Sequence, residues 1–174
     1  LENFDLNKIR PRIDWTFFFI GWELRGKYPE ILHHPKFGEE ARRLYQEGNE
    51  LLDEIIDKKF FKANGVVGIY PANSVEDDIE VYADETRKNV AAVFHTLRQQ
   101  VENEQGAYYA LSDFIAPKDS GVRDYIGAFA VTAGLGVEEF VKRHQKDQND
   151  YKAIMAKILA DLLAERFAEV LHYM

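Results

Sequence analysis

Residues 66–82, VVGIYPANSVEDDIEVY, decide the fold class of this chain. Val66–Tyr70 and Ile79–Tyr82 are rich in β-branched and aromatic residues, and Pro71, Asn73 and Ser74 stand between them. That pattern predicts two strands joined as a hairpin with a longer loop. Tyr125–Thr132 reads as a third strand, bounded by Gly121 and Gly134. Val90–Leu97 is open: its alanines suit a helix, its place after a hairpin suits another strand. Upstream, the apolar or small residues Ala41, Leu44, Tyr45, Gly48, Leu51, Leu52, Ile55 and Ile56 recur at 3-and-4 spacing. They predict one buried face of a helix over about Gly38–Lys59. Downstream, helices are expected at about Val137–Gln145 and Asp150–Tyr173. The last carries a broad stripe of Tyr151, Ile154, Met155, Ile158, Leu159, Leu162, Leu163 and Val170. The first thirty residues are aromatic-heavy, and Gly21, Gly26 and Pro29 break any long regular element. Adjacent strands with helices grouped at the ends predict an α+β fold. An antiparallel sheet of three to five strands is expected, flanked by helices and followed by a long C-terminal helix.

Composition narrows the function. With 174 residues, 46% of them hydrophobic, the chain is expected to form a single domain over 1–174. Its net charge of −8 argues against binding a nucleic-acid backbone. No cysteine is present, which removes thiol catalysis and cysteine-ligated metal sites. The longest apolar run, Trp15–Trp22, falls far short of the ~20 residues that a membrane span needs. No signal peptide is read in the opening residues, where Glu2, Asp5, Lys8 and Arg10 intervene. A soluble, cytoplasmic protein without a membrane partner is the expectation.

Individual motifs carry little chemistry. Gly134-Leu135-Gly136 joins a strand to a helix, but Glu139 occupies the third glycine position of a dinucleotide fingerprint. The plain reading is a tight turn. His33, His34, His95, His144 and His172 lack metal-ligand spacing. The acids Glu76, Asp77, Asp78, Glu80, Asp84 and Glu85 lack the glycine-centred spacing of a calcium loop and read as a solvated surface. No metal site and no catalytic constellation is expected. Two carboxylates remain. Asp14 lies between Ile13 and Trp15, where an acid must face a cleft or find a cationic partner. Glu165 lies at the edge of the final helix's apolar stripe, either salt-bridged or turned toward a ligand; Arg166 beside it is a candidate partner for a neighbouring acid.

The ordered segments then add a resemblance. Ile13-Asp14-Trp15-Thr16, Gly26-Lys27-Tyr28-Pro29, Gly65–Asn73 (GVVGIYPAN), Asp77–Tyr82 (DDIEVY) and Asp84-Glu85-Thr86-Arg87 are followed by four more. These are Leu97–Gln100 (LRQQ), Asp113–Lys118 (DFIAPK), Asp124–Thr132 (DYIGAFAVT) and Ala164–His172 (AERFAEVLH). In this order, the set resembles the activation domain of cobalamin-dependent methionine synthase across almost the whole chain. The resemblance implies a non-catalytic module of a methyltransferase that transfers methyl from methyltetrahydrofolate to homocysteine. Such a module binds S-adenosylmethionine and docks on the cobalamin-binding domain, a separate domain that holds cobalamin. A flavodoxin-type reductant and the sulfonium methyl then return cob(II)alamin to methylcobalamin. By the same resemblance, Asp14 is similar to a ligand-binding aspartate, and Glu165 matches a position associated with S-adenosylmethionine. The family motif Arg-Pro-Ala-x-Gly-Tyr-Pro does not occur in these residues, which correspond to roughly the first half of a family domain. That implies self-association through exposed apolar surface. The alternative is a protein-interaction or scaffold module that keeps the fold without binding the ligand.

Overall fold

A computed structural model describes residues 1–102 and 106–174. Its elements run α1 (Leu6–Ile9), α2 (Trp15–Gly21), α3 (Gly38–Asp57), β1 (Lys62–Val75), β2 (Asp78–Tyr82) and β3 (Val90–His95). They continue with β4 (Asp124–Leu135), α4 (Val137–Lys146) and α5 (Asp150–Leu171), with short 3-10 turns between some of them. The four strands form one antiparallel sheet in the order β3-β2-β1-β4. The class is α+β, and the long final helix is present. The contacts divide the chain into two compact units, Leu1–Val66 with Ala130–Met174, and Val67–Phe129.

The first unit is built on helices. The expected face of α3 is buried at Ala41, Leu44, Gly48, Leu51, Leu52 and Ile55. It shares a core with Phe18 and Phe19 of α2 and with Leu159, Leu163 and Phe167 of α5. Each fully buried Leu, Ile or Phe side chain among them contributes about 1.5–3 kcal/mol through apolar area removed from water. The α5 stripe is narrower than its sequence pattern, because Tyr151 and Ile154 are exposed and Ala153 and Ala156 take buried positions. Tyr151 instead spends its hydroxyl on Glu47, and its ring lies 4.8 Å from Trp22. Gly136 makes the β4–α4 turn with φ of +106°, and a Cβ there would lie 2.2 Å from the Phe60 carbonyl oxygen. Gly136 is thus a steric requirement of the tight turn, whereas Gly134 lies within β4 and faces only ordinary contacts.

The second unit corrects the hairpin. Pro71, Asn73 and Ser74 belong to β1, not to a loop, and Glu76-Asp77 makes the turn, with Glu76 at φ of +55°. Pro71 lies just before the β1–β2 pairing, which begins at Ala72↔Val81, so it withholds no amide from that ladder. The polar residues are satisfied as strand members. Asn73 donates to the carbonyls of Ala116 and Val122, both at 2.9 Å, and the Ser74 hydroxyl donates to the Ile115 carbonyl at 2.9 Å. Arg87 completes the arrangement by donating to Asn73 Oδ1 (2.7 Å), the Ala72 carbonyl (3.1 Å) and the Asp124 carbonyl (2.8 Å). Its guanidinium lies against the rings of Tyr82 and Tyr125. Val90–His95 pairs with β2, which settles that segment as a strand. The buried apolar cluster here is small: Ala72, Ile79 and Val81, with Ile115 and Ile126 against it. Val67, Ile69, Phe94 and Phe129 are exposed.

Candidate functional site

Asp14 and Glu165 are far apart in sequence, yet one guanidinium relates them. Ile13 and Trp15 are both buried, which leaves Asp14 at the surface as the N-cap of α2. An aspartate suits that place because its carboxylate can satisfy an otherwise unpaired amide of the first turn. Its Oδ1 accepts from the Thr16 amide at 2.9 Å. Helix α5 carries Glu165, Arg166 and Glu169 beside the buried Phe167, which stacks on Phe4 at 4.7 Å. Arg166 Nη2 donates to Glu165 at 3.1 Å, and Nη1 donates to Glu169 at 2.8 Å. Nη2 also stands 3.9 Å from Asp14 Oδ2, an ion pair beyond hydrogen-bond length. Both carboxylates singled out by sequence therefore lie at Arg166.

The sequence reading missed two members of this cluster. Glu169 is three residues beyond Arg166, the spacing that places two side chains on one helix face. Arg12 reaches the other oxygen of Glu169 at 3.8 Å, and its guanidinium lies 4.5 Å from the Tyr173 ring centroid. No local spacing signals Arg12, because the pairing is tertiary.

Burial separates the roles. The Arg166 side chain is 18% exposed, against 39% for Asp14 and 52% for Glu165. Arg166 is held above the usual arginine range, first by its hydrogen bond to Glu169 and then by the charges of Glu165, Glu169 and Asp14, against the opposing effect of burial. Its Nε is buried without a hydrogen-bond partner among the described residues. The open acceptors are Asp14 Oδ2 and the second oxygen of Glu165. They suit an ammonium group or hydroxyls. Arg166 is hydrogen-bonded to Glu165 and Glu169, while Arg12 is only ion-paired with Glu169, so the acceptors of Asp14 and Glu165 are the cluster's principal open groups.

The remaining acids and histidines are dispersed to separate partners. Asp77 pairs with Arg98, Asp78 with His95, Glu80 with Lys118, Asp84 with Thr86 and Glu85 with Tyr125. Lys118 is the leading cause that holds Glu80 below the usual carboxylate range. His34 caps the following turn through Nδ1, and the Nδ1 of His144 is 2.9 Å from the Phe140 carbonyl oxygen. Among the described residues no group of three or more His, Cys, Asp or Glu is arranged to hold a metal ion. No described helix is long and apolar enough to cross a membrane.

Comparison with known proteins agrees with the ordered segments. Residues 5–174 match the family model for the vitamin B12 dependent methionine synthase activation domain. The crystal structure of the MetH reactivation domain bound to AdoHcy is similar, with 50% sequence identity and a TM-score of 0.93. That similarity covers 99% of this chain and 53% of the solved one, so the chain spans about half the length of that relative. A family match over nearly every residue and half-identity to a solved member lead to one conclusion: the chain belongs to the family of vitamin B12 dependent methionine synthase activation domains.

Proposed function

We propose that this chain is part of a reactivation module that binds S-adenosylmethionine and docks on a cobalamin-binding domain. The observation that carries the reading is the 50% identity, over 99% of the chain, to a reactivation domain bound to AdoHcy. The cluster supports it chemically. An S-adenosyl ligand bears an α-ammonium and ribose hydroxyls, and Asp14 with Glu165 offers acceptors for such groups. Cobalamin, held by a separate domain, supplies the methyl-accepting cobalt in such a system. This chain's residues hold and orient the S-adenosyl ligand, because a methyl donor must be fixed in near-attack geometry before transfer. A flavodoxin-type donor is the proposed electron source. Exposed apolar side chains such as Val67, Ile69 and Phe129 make self-association part of the same proposal.

Asp14→Asn tests the reading, because it keeps the shape and removes the charge. S-adenosylmethionine affinity, measured by ligand-observed NMR on the folded chain, is expected to fall by about 1.5–3 kcal/mol, the range for a charged hydrogen bond. Unchanged affinity with an unchanged melting temperature removes Asp14 from the site.

A further inference from the structure

We propose that Arg166 sets the charge selectivity of the Asp14–Glu165 site by restraining its preference for S-adenosyl ligands with a sulfonium over those with a neutral thioether. The proposal rests on the reading that Asp14 and Glu165 bind the ligand. Three carboxylates (Asp14, Glu165 and Glu169) and two guanidiniums (Arg12 and Arg166) make up the cluster, leaving one net negative charge. That charge attracts a cationic ligand. The α-ammonium and α-carboxylate of S-adenosylhomocysteine cancel, whereas S-adenosylmethionine carries one net positive charge through its sulfonium.

Arg166 is the member whose charge cannot move away. Its side chain is mostly buried, Nη1 and Nη2 are bound to carboxylates of its own helix, and Nη2 also lies 3.9 Å from Asp14. Among the described residues it is also the one arginine paired with both proposed ligand-binding acids. Without it, Asp14 and Glu165 would present two uncompensated charges to an incoming cation. With it, the second positive charge of a sulfonium meets a fixed like charge in a partly desolvated site, where Coulomb interactions exceed those in water. The same charge leaves a zwitterionic thioether less affected.

The experiment compares S-adenosylmethionine with S-adenosylhomocysteine by ligand-observed NMR, which reads millimolar affinities, on the 174-residue chain and on Arg166→Gln and Arg166→Lys. The ratio of the two dissociation constants is the readout. Both ligands titrate the same sample, so a partly unfolded fraction cancels from the ratio. Arg166→Gln is expected to shift the ratio about tenfold toward the sulfonium. Arg166→Lys, which keeps the charge, is expected to hold the ratio near its original value. An unchanged ratio in Arg166→Gln, while Asp14→Asn and Glu165→Gln weaken both ligands, overturns the role of Arg166 and leaves the site standing. Unchanged binding of both ligands in Asp14→Asn and Glu165→Gln overturns the site itself, as does no binding of either ligand well above millimolar concentration.

Discussion

Lys152 of α5 reaches across to Glu54 of α3, and Lys58, one turn along α3, holds the other oxygen of the same carboxylate. These bonds, Lys152 first and Lys58 second, bring Glu54 down to about 2. The folded state therefore prefers the ionised carboxylate, and its stabilisation is complete above the unfolded value of about 4.3 and lost as pH falls through about 2. About a quarter of the Glu54 side chain faces solvent. Glu54→Gln is accordingly expected to cost only about 1 kcal/mol at neutral pH and almost nothing below pH 2. Urea unfolding at both pH values checks this, and an equal loss at both would assign the effect to packing.

The left-handed turn at Gly136 makes a sharper demand. An alanine would combine an unfavourable φ with a Cβ 2.2 Å from the Phe60 carbonyl oxygen. Gly136→Ala is expected to destabilise by more than ~3 kcal/mol. Gly121→Ala, also at positive φ but with nothing within 4 Å, should cost about 1–2 kcal/mol. Similar melting temperatures for the two variants would show that the Phe60 contact yields easily.

Arg87 is expected to matter through hydrogen bonds rather than charge. Arg87→Met keeps much of the stem and removes the guanidinium donor from the buried Asn73 side chain and from the Ala72 and Asp124 carbonyls. A loss of about 2–4 kcal/mol follows if these acceptors stay desolvated. Denaturant unfolding measures it, and a change under 0.5 kcal/mol, the size of an ordinary surface substitution, would show that water replaces the guanidinium.

Ligand affinity is limited by which charges the cluster leaves open. Asp14 and Glu165 can accept from an ammonium or hydroxyls, while Arg166 is hydrogen-bonded to Glu165 and Glu169 and Arg12 is ion-paired with Glu169. One charged hydrogen bond supplies ~1.5–3 kcal/mol, and micromolar binding needs about 8. These 174 residues are thus expected to bind S-adenosylmethionine no more tightly than millimolar. Micromolar affinity by calorimetry would show that their own side chains complete a site.

Different physics governed what could be read from sequence. Helix α3 was legible because its burial follows a strict period, from Ala41 to Ile55. The strand through Pro71–Ser74 was not, because the partners that satisfy Asn73 and Ser74, at Ile115, Ala116 and Val122, are more than forty residues away. Helix α2 was obscured by its near-uniform apolarity, WTFFFIG, which shows no face until α3 and α5 bury Phe18 and Phe19 and leave Phe17 exposed. At the site, Asp14 and Glu165 were visible as acids among apolar neighbours, and Arg166 as a possible partner. Its engagement with Asp14 is tertiary and required the fold.

Strand β1 passes from one compact unit into the other at Val66–Val67, and the two units differ greatly in buried apolar mass. Amide hydrogens along this one strand should consequently exchange with solvent water on two timescales. Ala63 belongs to the larger core and should be released only by near-global opening, whereas Asn73, in the unit with the small cluster, should be released by cheaper local opening. A single continuous element would thus carry a step in protection factor, measurable residue by residue in deuterated buffer.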